Sequence, residues 1–265
     1  MQEFLIFALV GFLAQVVDGA LGMAYGVISS TTLLAFGVAP ANASAAVHTA
    51  KLFTTAASGA AHFRLGNVDR HLFVRLAPFG VAGGIAGAFV LTSVDAHIVK
   101  PFVTTYLALV GIWLLIRSFR KMPTRPVPGR IVSPLGAVGG FLDAIGGGGW
   151  GPVVTTGLLG SGGAPRYIIG SVNAAEFLVS VAVALSFLFA LLSGHWDDAG
   201  ALSANLSAIA GLIIGGLFAA PLAGLALSAR DGTFAAPAPR RRPDRPPGGM
   251  ADRSIFRTGL TQHTP

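Results

Sequence analysis

The sequence lacks cysteine altogether and is poor in charge. The absence of cysteine excludes disulfides, thiolate metal sites and cysteine nucleophiles. Charged residues make up 11% of the 265 residues, 53% are hydrophobic, and the mean hydropathy is +0.70. A soluble domain carries about 25% charged residues, so the composition excludes an ordinary soluble enzyme, a coiled coil and a disordered chain. It predicts an all-α, polytopic helical membrane protein, because the apolar stretches far exceed the roughly 10-residue strands of a membrane β-barrel.

The formal net charge of +7 does not predict a nucleic-acid partner. Residues 230–265 contain seven Arg and three acidic residues, and most of the remaining excess lies in short loops between apolar runs. Lys and Arg in short loops are typical of the cytoplasmic side of a membrane protein. The charge therefore indicates membrane orientation.

Seven apolar runs follow one another, and a membrane span needs about 20 such residues. They are residues 4–36, 41–63, 72–92, 97–118, 131–160, 165–193 and 199–228. No basic region precedes the first run, so we interpret it as a retained segment and not as a cleaved signal peptide. The predicted domains are an N-terminal membrane repeat (1–122), a basic, Pro-rich cytoplasmic linker (123–130), a C-terminal membrane repeat (131–228) and a disordered Pro/Arg-rich tail (229–265).

The two membrane halves resemble each other in sequence. Residues 18–53 align without a gap with residues 143–178. The matched pairs include Asp18 with Asp143, Tyr25 with Trp150, and Pro40 with Pro165. We interpret the halves as an internal repeat, which is common in secondary transporters.

The first and fifth runs are too long for one simple span, and each contains a glycine-rich break, at 19–26 and 146–151. Consecutive glycines disfavour regular helix, at about 1 kcal/mol each relative to alanine. Two interpretations stay open: each run is one long, kinked span, or each is a re-entrant hairpin that enters and leaves on the same side. Either places the break inside the protein, because non-helical backbone at membrane depth needs polar partners.

Positive charge favours the hairpins. The Arg-containing loops at 64–75 and 117–130 should be cytoplasmic. The acidic loop at 194–198 then lies outside only if the fifth run is a hairpin. In that arrangement each half has an odd number of full spans, so the halves are inverted relative to each other and the N-terminus is outside.

Five ionisable residues lie inside apolar runs, where Asp or Lys costs at least about 2.5–3.5 kcal/mol at mid-membrane. They are Asp18, His48, Lys51, Asp143 and Glu176. The repeat equates Lys51 with Glu176 and His48 with Asn173, so each half has one polar helix face. Either Lys51 and Glu176 form a structural ion pair, or Lys51 and His48 bind an anion, Asn173 donates a hydrogen bond and Glu176 carries a proton.

The glycine-rich breaks are candidates for the same site. Broken helices have free N–H groups and a positive dipole end, which suit anions. The glycines predicted to bind the anion are Gly22, Gly26, Gly147, Gly148 and Gly149. The alternative is close helix packing through small residues. Asp18 and Asp143 either join this site or cap the half-helix that follows each break.

The chain contains neither a clustered metal-ligand motif nor a nucleophile motif, so we predict no enzyme, no metal and no cofactor. The breaks, Pro40 and Pro165, and the two polar faces resemble the TauE/SafE family of membrane permeases, also called the sulfite exporter family. The resemblance covers about residues 4–228 and is most specific at 140–152 and 166–177.

The resemblance implies a permease of small sulfur-containing or organic anions, such as sulfite or sulfonates, spanning a bacterial inner membrane several times. The family's last span has no counterpart here, where the Pro/Arg-rich tail follows. The expected partners are a small anionic substrate, the lipid bilayer, a coupling proton or sodium ion, and a second copy of the chain. The alternative is a non-transporting membrane accessory or scaffold subunit, whose buried charges only hold helices together.

Overall fold

The computed structural model describes residues 1–21, 23–119, 129–160, 165–196 and 205–230. All regular structure in these ranges is helical, which confirms the all-α prediction. The helices are α1 (Gln2–Leu21), α2 (Tyr25–Ala35), α3 (Pro40–Arg64), α4 (Arg70–Ser93), α5 (Ala96–Ser118), α6 (Gly129–Gly146), a π-helical turn (Gly151–Thr155) leading into α7 (Thr156–Gly160), α8 (Pro165–Leu192) and α9 (Leu206–Arg230). Most of the predicted linker, residues 197–204 and the tail beyond Arg230 lie outside the described residues.

Among the described residues, three helices are long and apolar enough to cross a membrane: α4, α5 up to Ile116, and α8. The helix α2 and the Leu206–Ala220 part of α9 are apolar but shorter. The helix α3 has 25 residues yet is rich in Ala, Ser and Thr, and more than half of it is buried. Its sequence fits a central helix that faces protein, which explains why it carries the polar residues of the first half.

The first glycine-rich break is the tip of a helical hairpin. Near the tip, Asp18 contacts the backbone of Ala24 and Tyr25. At the open end of the hairpin, opposite the tip, the ring centroids of Phe7 on α1 and Phe36 just after α2 lie 5.2 Å apart. The two helices therefore run antiparallel, and the distance from Phe7 to Asp18 is about 17 Å along the helix. This is about half the thickness of a bilayer core, as a re-entrant hairpin requires.

The second break has the same form. The two segments approach each other closely at three glycines. A Cβ atom added to Gly149 would contact Leu142, and one added to Gly139 would contact Val154. One added to Gly157 would lie 2.9 Å from the Leu135 side chain. These pairings place α7 and the π-helical turn antiparallel to α6. The structure therefore has the hairpin form of the fifth run, not one continuous kinked span.

The two hairpin tips meet inside the protein. A Cβ on Gly26 would collide with the carbonyl oxygen of Gly147 and lie 2.7 Å from Cα of Gly148. Gly147 also has φ +68°, a left-handed conformation that glycine adopts without strain. Glycine is required at these positions because two backbones touch.

Aromatic residues at equivalent positions anchor the tips. The Tyr25 hydroxyl donates to the carbonyl of Leu212 on α9, and the Trp150 indole N–H donates to the carbonyl of Val172 on α8. The helices α3 and α8 pack against each other, α1 packs against α9, and α4 packs against α6 and α8. This arrangement places the polar faces of α3 and α8 beside the meeting point of the tips.

Candidate functional site

Lys51 on α3 is held between two carboxylates. Its Nζ lies 3.0 Å and 2.8 Å from the two oxygens of Asp143 and 2.8 Å from Oε1 of Glu176. The side chain is 2% exposed. An ammonium has three N–H donors, so these three contacts use all of them. Lys51 is thus a fully paired buried cation.

Asp143 is the most connected residue of the site and is fully buried. Besides Lys51, its Oδ1 accepts the backbone N–H groups of Gly149 and Trp150, at 2.9 and 3.0 Å. Its Oδ2 lies 3.1 Å from Nε2 of His48. The residue therefore caps the segment after the break, and it also joins the hairpin tip to α3.

His48 lies one turn before Lys51 on the same face of α3 and has no exposed surface. Its Nδ1 lies 2.9 Å from the carbonyl oxygen of Ser44, and its Nε2 faces Asp143. The Ser44 hydroxyl donates to the carbonyl of Ala144 at the second tip. Both ring nitrogens of His48 therefore have polar partners, and the ring links α3 to the second hairpin tip.

Asp18 repeats the capping geometry of Asp143 in the first half. Its Oδ1 accepts from the N–H groups of Ala24, at 2.7 Å, and Tyr25, at 3.1 Å. The spacings of six and seven residues are those of the Asp143 caps. Asp18 differs in having no ion pair within the described residues.

On α8, the predicted polar face lies next to Lys51. Glu176 contacts Lys51 and its side chain is 12% exposed. Asn173 is 6% exposed, and its side-chain N–H donates to the carbonyl of Ile169 one turn earlier. Glu176 is therefore the partner of Lys51 with the more accessible side chain, because Asp143 has none of its side chain exposed.

A small polar cleft opens beside this ion-pair cluster. It has a volume of about 210 Å³, counting its open mouth. Its lining residues are Gln15, Asp18, Tyr25, Lys51, Thr54, Thr55, Ser58, Asn173 and Glu176. All nine carry a hydroxyl, an amide or an ionisable group, which is unusual for a position inside a membrane protein.

The structure brings most of the predicted side chains together. His48, Lys51, Asp143 and Glu176 form one chain of contacts. Asp18, Lys51, Asn173 and Glu176 line the cleft. His48 and Asp143 lie behind Lys51, outside the cleft wall.

The predicted glycines occupy the junction of the hairpin tips. Gly26, Gly147 and Gly148 are in backbone contact there, and none of the described glycines of the breaks lines the cleft. The N–H of Gly147 donates to the carbonyl of Asp143 and that of Gly149 to its carboxylate, so these two N–H groups already have partners. Gly22 lies outside the described residues.

The sequence analysis missed five cleft residues: Gln15, Tyr25, Thr54, Thr55 and Ser58. A signal for them exists. Thr54, Thr55 and Ser58 follow Lys51 by three, four and seven positions, which continues one face of a helix. Gln15 precedes Asp18 by three positions in the same way. Extending each polar face by one or two turns would have found four of the five.

Comparison with known proteins is consistent with this architecture. The family model "Sulfite exporter TauE/SafE" matches residues 7–231. The chain is 42% identical over 230 residues to a protein of Bacillus subtilis strain 168 named "Probable membrane transporter protein YtnM". The alignment covers 84% of this chain and 74% of that protein. No solved structure gives a significant match.

Proposed function

The chain belongs to the sulfite exporter TauE/SafE family and is a multi-pass membrane transporter. From this premise we propose that it is an ion-coupled permease of small sulfur-containing or organic anions, such as sulfite or sulfonates, in a bacterial inner membrane. The cleft beside Lys51 is its anion site. The observation that carries the proposal is Lys51, a buried cation at the wall of a polar cleft whose outer partner is Glu176.

In this proposal Glu176 occupies the place of the substrate. Its carboxylate is an anion that already binds Lys51, so a substrate anion can replace it without leaving Lys51 unpaired. Leaving a buried charge unpaired costs several kcal/mol, whereas the exchange of one anion for another keeps the charge balanced. Asn173, which lines the cleft one turn from Glu176, donates a hydrogen bond to the substrate.

Coupling follows from the same exchange. A free Glu176 carboxylate beside a substrate anion would place two negative charges in a small site. Protonation of Glu176, or binding of a sodium ion near it, removes that repulsion. The cation and the anion are then carried together. The second carboxylate, Asp143, stays paired with Lys51 and His48 and keeps the tip in place.

The test is a flux assay with purified protein in lipid vesicles, using a panel of sulfite, sulfonates and small organic acids, with and without a proton or sodium gradient. Lys51→Ala and Glu176→Gln should both abolish anion flux, because one removes the cation and the other removes the exchangeable charge. Lys100→Ala is the matched control, since Lys100 is exposed and lies away from the cleft. Normal flux in both cleft variants would refute the proposed site.

A second candidate is a non-transporting accessory or scaffold subunit. The observation in its favour is that all three N–H donors of the Lys51 ammonium are used in contacts with Asp143 and Glu176. Under this alternative, the wild-type protein gives no flux with any anion of the panel, and Glu176→Gln lowers only thermal stability.

A further inference from the structure

One carboxylate in the cleft, that of Asp18, has no ion-pair partner among the described residues. Asp18 uses Oδ1 to cap the first hairpin tip, while its Oδ2 accepts no hydrogen bond from the described residues. The described ion pairs all belong to Lys51, His48, Asp143 and Glu176. Asp18 therefore lines the cleft with one carboxylate oxygen that has no partner among the described residues.

Two buried neutral side chains in the same cleft also lack partners. Gln15 is 3% exposed and Thr54 is 2% exposed, and neither makes a hydrogen bond within the described residues. Buried polar groups are hydrogen-bonded in the great majority of cases. An amide and a hydroxyl that line one cleft without a protein partner are therefore free to bind a ligand there.

The charges around the cleft show the sign of that ligand. Asp18, Asp143 and Glu176 supply three negative charges, and Lys51 supplies one positive charge. The carboxylates therefore outnumber the lysine ammonium around the cleft. The unbalanced charge lies at Asp18, because the other two carboxylates contact Lys51.

The chemical types of the free groups fit a small hard cation. The Asp18 carboxylate, the Gln15 amide oxygen and the hydroxyl oxygens of Thr54 and Ser58 are oxygen ligands. The Tyr25 hydroxyl gives its proton to Leu212, so its oxygen is also available as an acceptor. The described residues contain no group of three or more His, Cys, Asp or Glu side chains suited to a metal ion, and a single carboxylate without an ion pair there fits a monovalent ion better than a divalent one.

We infer that a sodium ion binds in the cleft beside Asp18, with Gln15 and Thr54 as neutral ligands. As the coupling ion, it rests on the proposed function and specifies it: Asp18 and Glu176 line the same cleft, so a sodium ion held by Asp18 lies near Glu176 and reduces its repulsion with the substrate anion that replaces it at Lys51. The binding itself does not depend on transport and can be measured alone.

The experiment measures thermal unfolding of the purified full chain in detergent against sodium chloride, with choline chloride keeping the ionic strength constant. Because a ligand that binds only the folded state stabilises it by mass action, the unfolding temperature should rise with sodium and saturate. Asp18→Asn should abolish the rise. Thr54→Val, which keeps the shape of the side chain, should raise the half-saturating sodium concentration by about tenfold or more, as loss of a ligand-shell group does.

Asp95→Asn is the matched control, because Asp95 is exposed and lies outside the cleft; its sodium response should equal that of the wild type. The inference would be overturned if the unfolding temperature of the wild type did not rise with sodium. It would also be overturned if the unfolding temperatures of Thr54→Val and Asp18→Asn rose with sodium as that of the wild type does. If Asp18→Asn does not fold, Thr54→Val decides alone. A protein that binds sodium but carries no anion would overturn the proposed function and leave the sodium site standing.

Discussion

The two carboxylates that contact Lys51 differ in surroundings, and so do their expected roles. Asp143 is fully buried and binds Lys51, His48 and two backbone N–H groups. Among the described residues, Glu176 forms an ion pair with Lys51 alone, and its side chain is partly exposed to the cleft. Asp143 is therefore the structural partner, and Glu176 is the partner that can exchange.

This difference predicts unequal losses of stability. Asp143→Asn breaks a buried pair and turns an N–H donor toward Lys51 or His48, so it should lower the free energy of unfolding by about 3–5 kcal/mol. Glu176→Gln leaves Lys51 paired with Asp143 and should cost about 1–3 kcal/mol. Denaturant titration of both variants in the same detergent compares them. A larger loss in Glu176→Gln would contradict the assigned roles.

At the scale of the elements, the hairpin tips depend on glycine because they touch. A Cβ on Gly26 has no room, since it would collide with the carbonyl oxygen of Gly147. The contact is backbone against backbone, so no side-chain rotation relieves it. The junction of the tips also positions Asp143, and through Asp143 it positions Lys51.

Gly26→Ala should therefore destabilise the protein and reduce anion flux together. Gly111→Ala is the matched control: Gly111 lies in α5, and a Cβ there meets nothing within 4 Å. The control should keep full flux and gain up to about 1 kcal/mol of helix stability. Thermal unfolding and vesicle flux measured on both variants test the prediction, and a tolerated Gly26→Ala would mean that the tips are not in tight contact.

At the scale of the whole molecule, we expect two hairpins that meet tip to tip to enter the membrane from opposite faces. The shorter arm of each hairpin, α2 in the first and the π-helical turn with α7 in the second, is only about half a bilayer long, so the ends of the first hairpin should lie on one side of the membrane and those of the second on the other. The cleft then lies near mid-membrane, where a carrier can expose it to either side in turn.

Single cysteines test this topology directly, because the native chain has no cysteine. Gln2→Cys and Gly37→Cys mark the ends of the first hairpin, and Arg130→Cys and Gly160→Cys mark those of the second. A membrane-impermeant maleimide should label the first pair from one side and the second pair only from the other. Labelling of Gln2→Cys and Gly37→Cys from opposite sides would instead mean that the first run crosses the membrane.

The sequence by itself determined the helical membrane class, the family and the positions of both breaks. Apolar runs, glycine clusters and mid-span charges are local in the chain, and the cost of placing them wrongly in lipid is large. The polar faces of α3 and α8 were also readable, since three-residue spacing on a helix fixes which side chains share a face.

Only the tertiary structure decided how those residues are paired. Asp143 and Lys51 are separated by 92 positions in the chain, and they meet because one hairpin tip abuts α3. Helix periodicity carries no information about that approach, so sequence reasoning paired Lys51 with Glu176 and missed Asp143 as the second partner. The glycines show the same limit: a flexible backbone was evident, but whether its N–H groups stay free or pack depends on what the fold places against them.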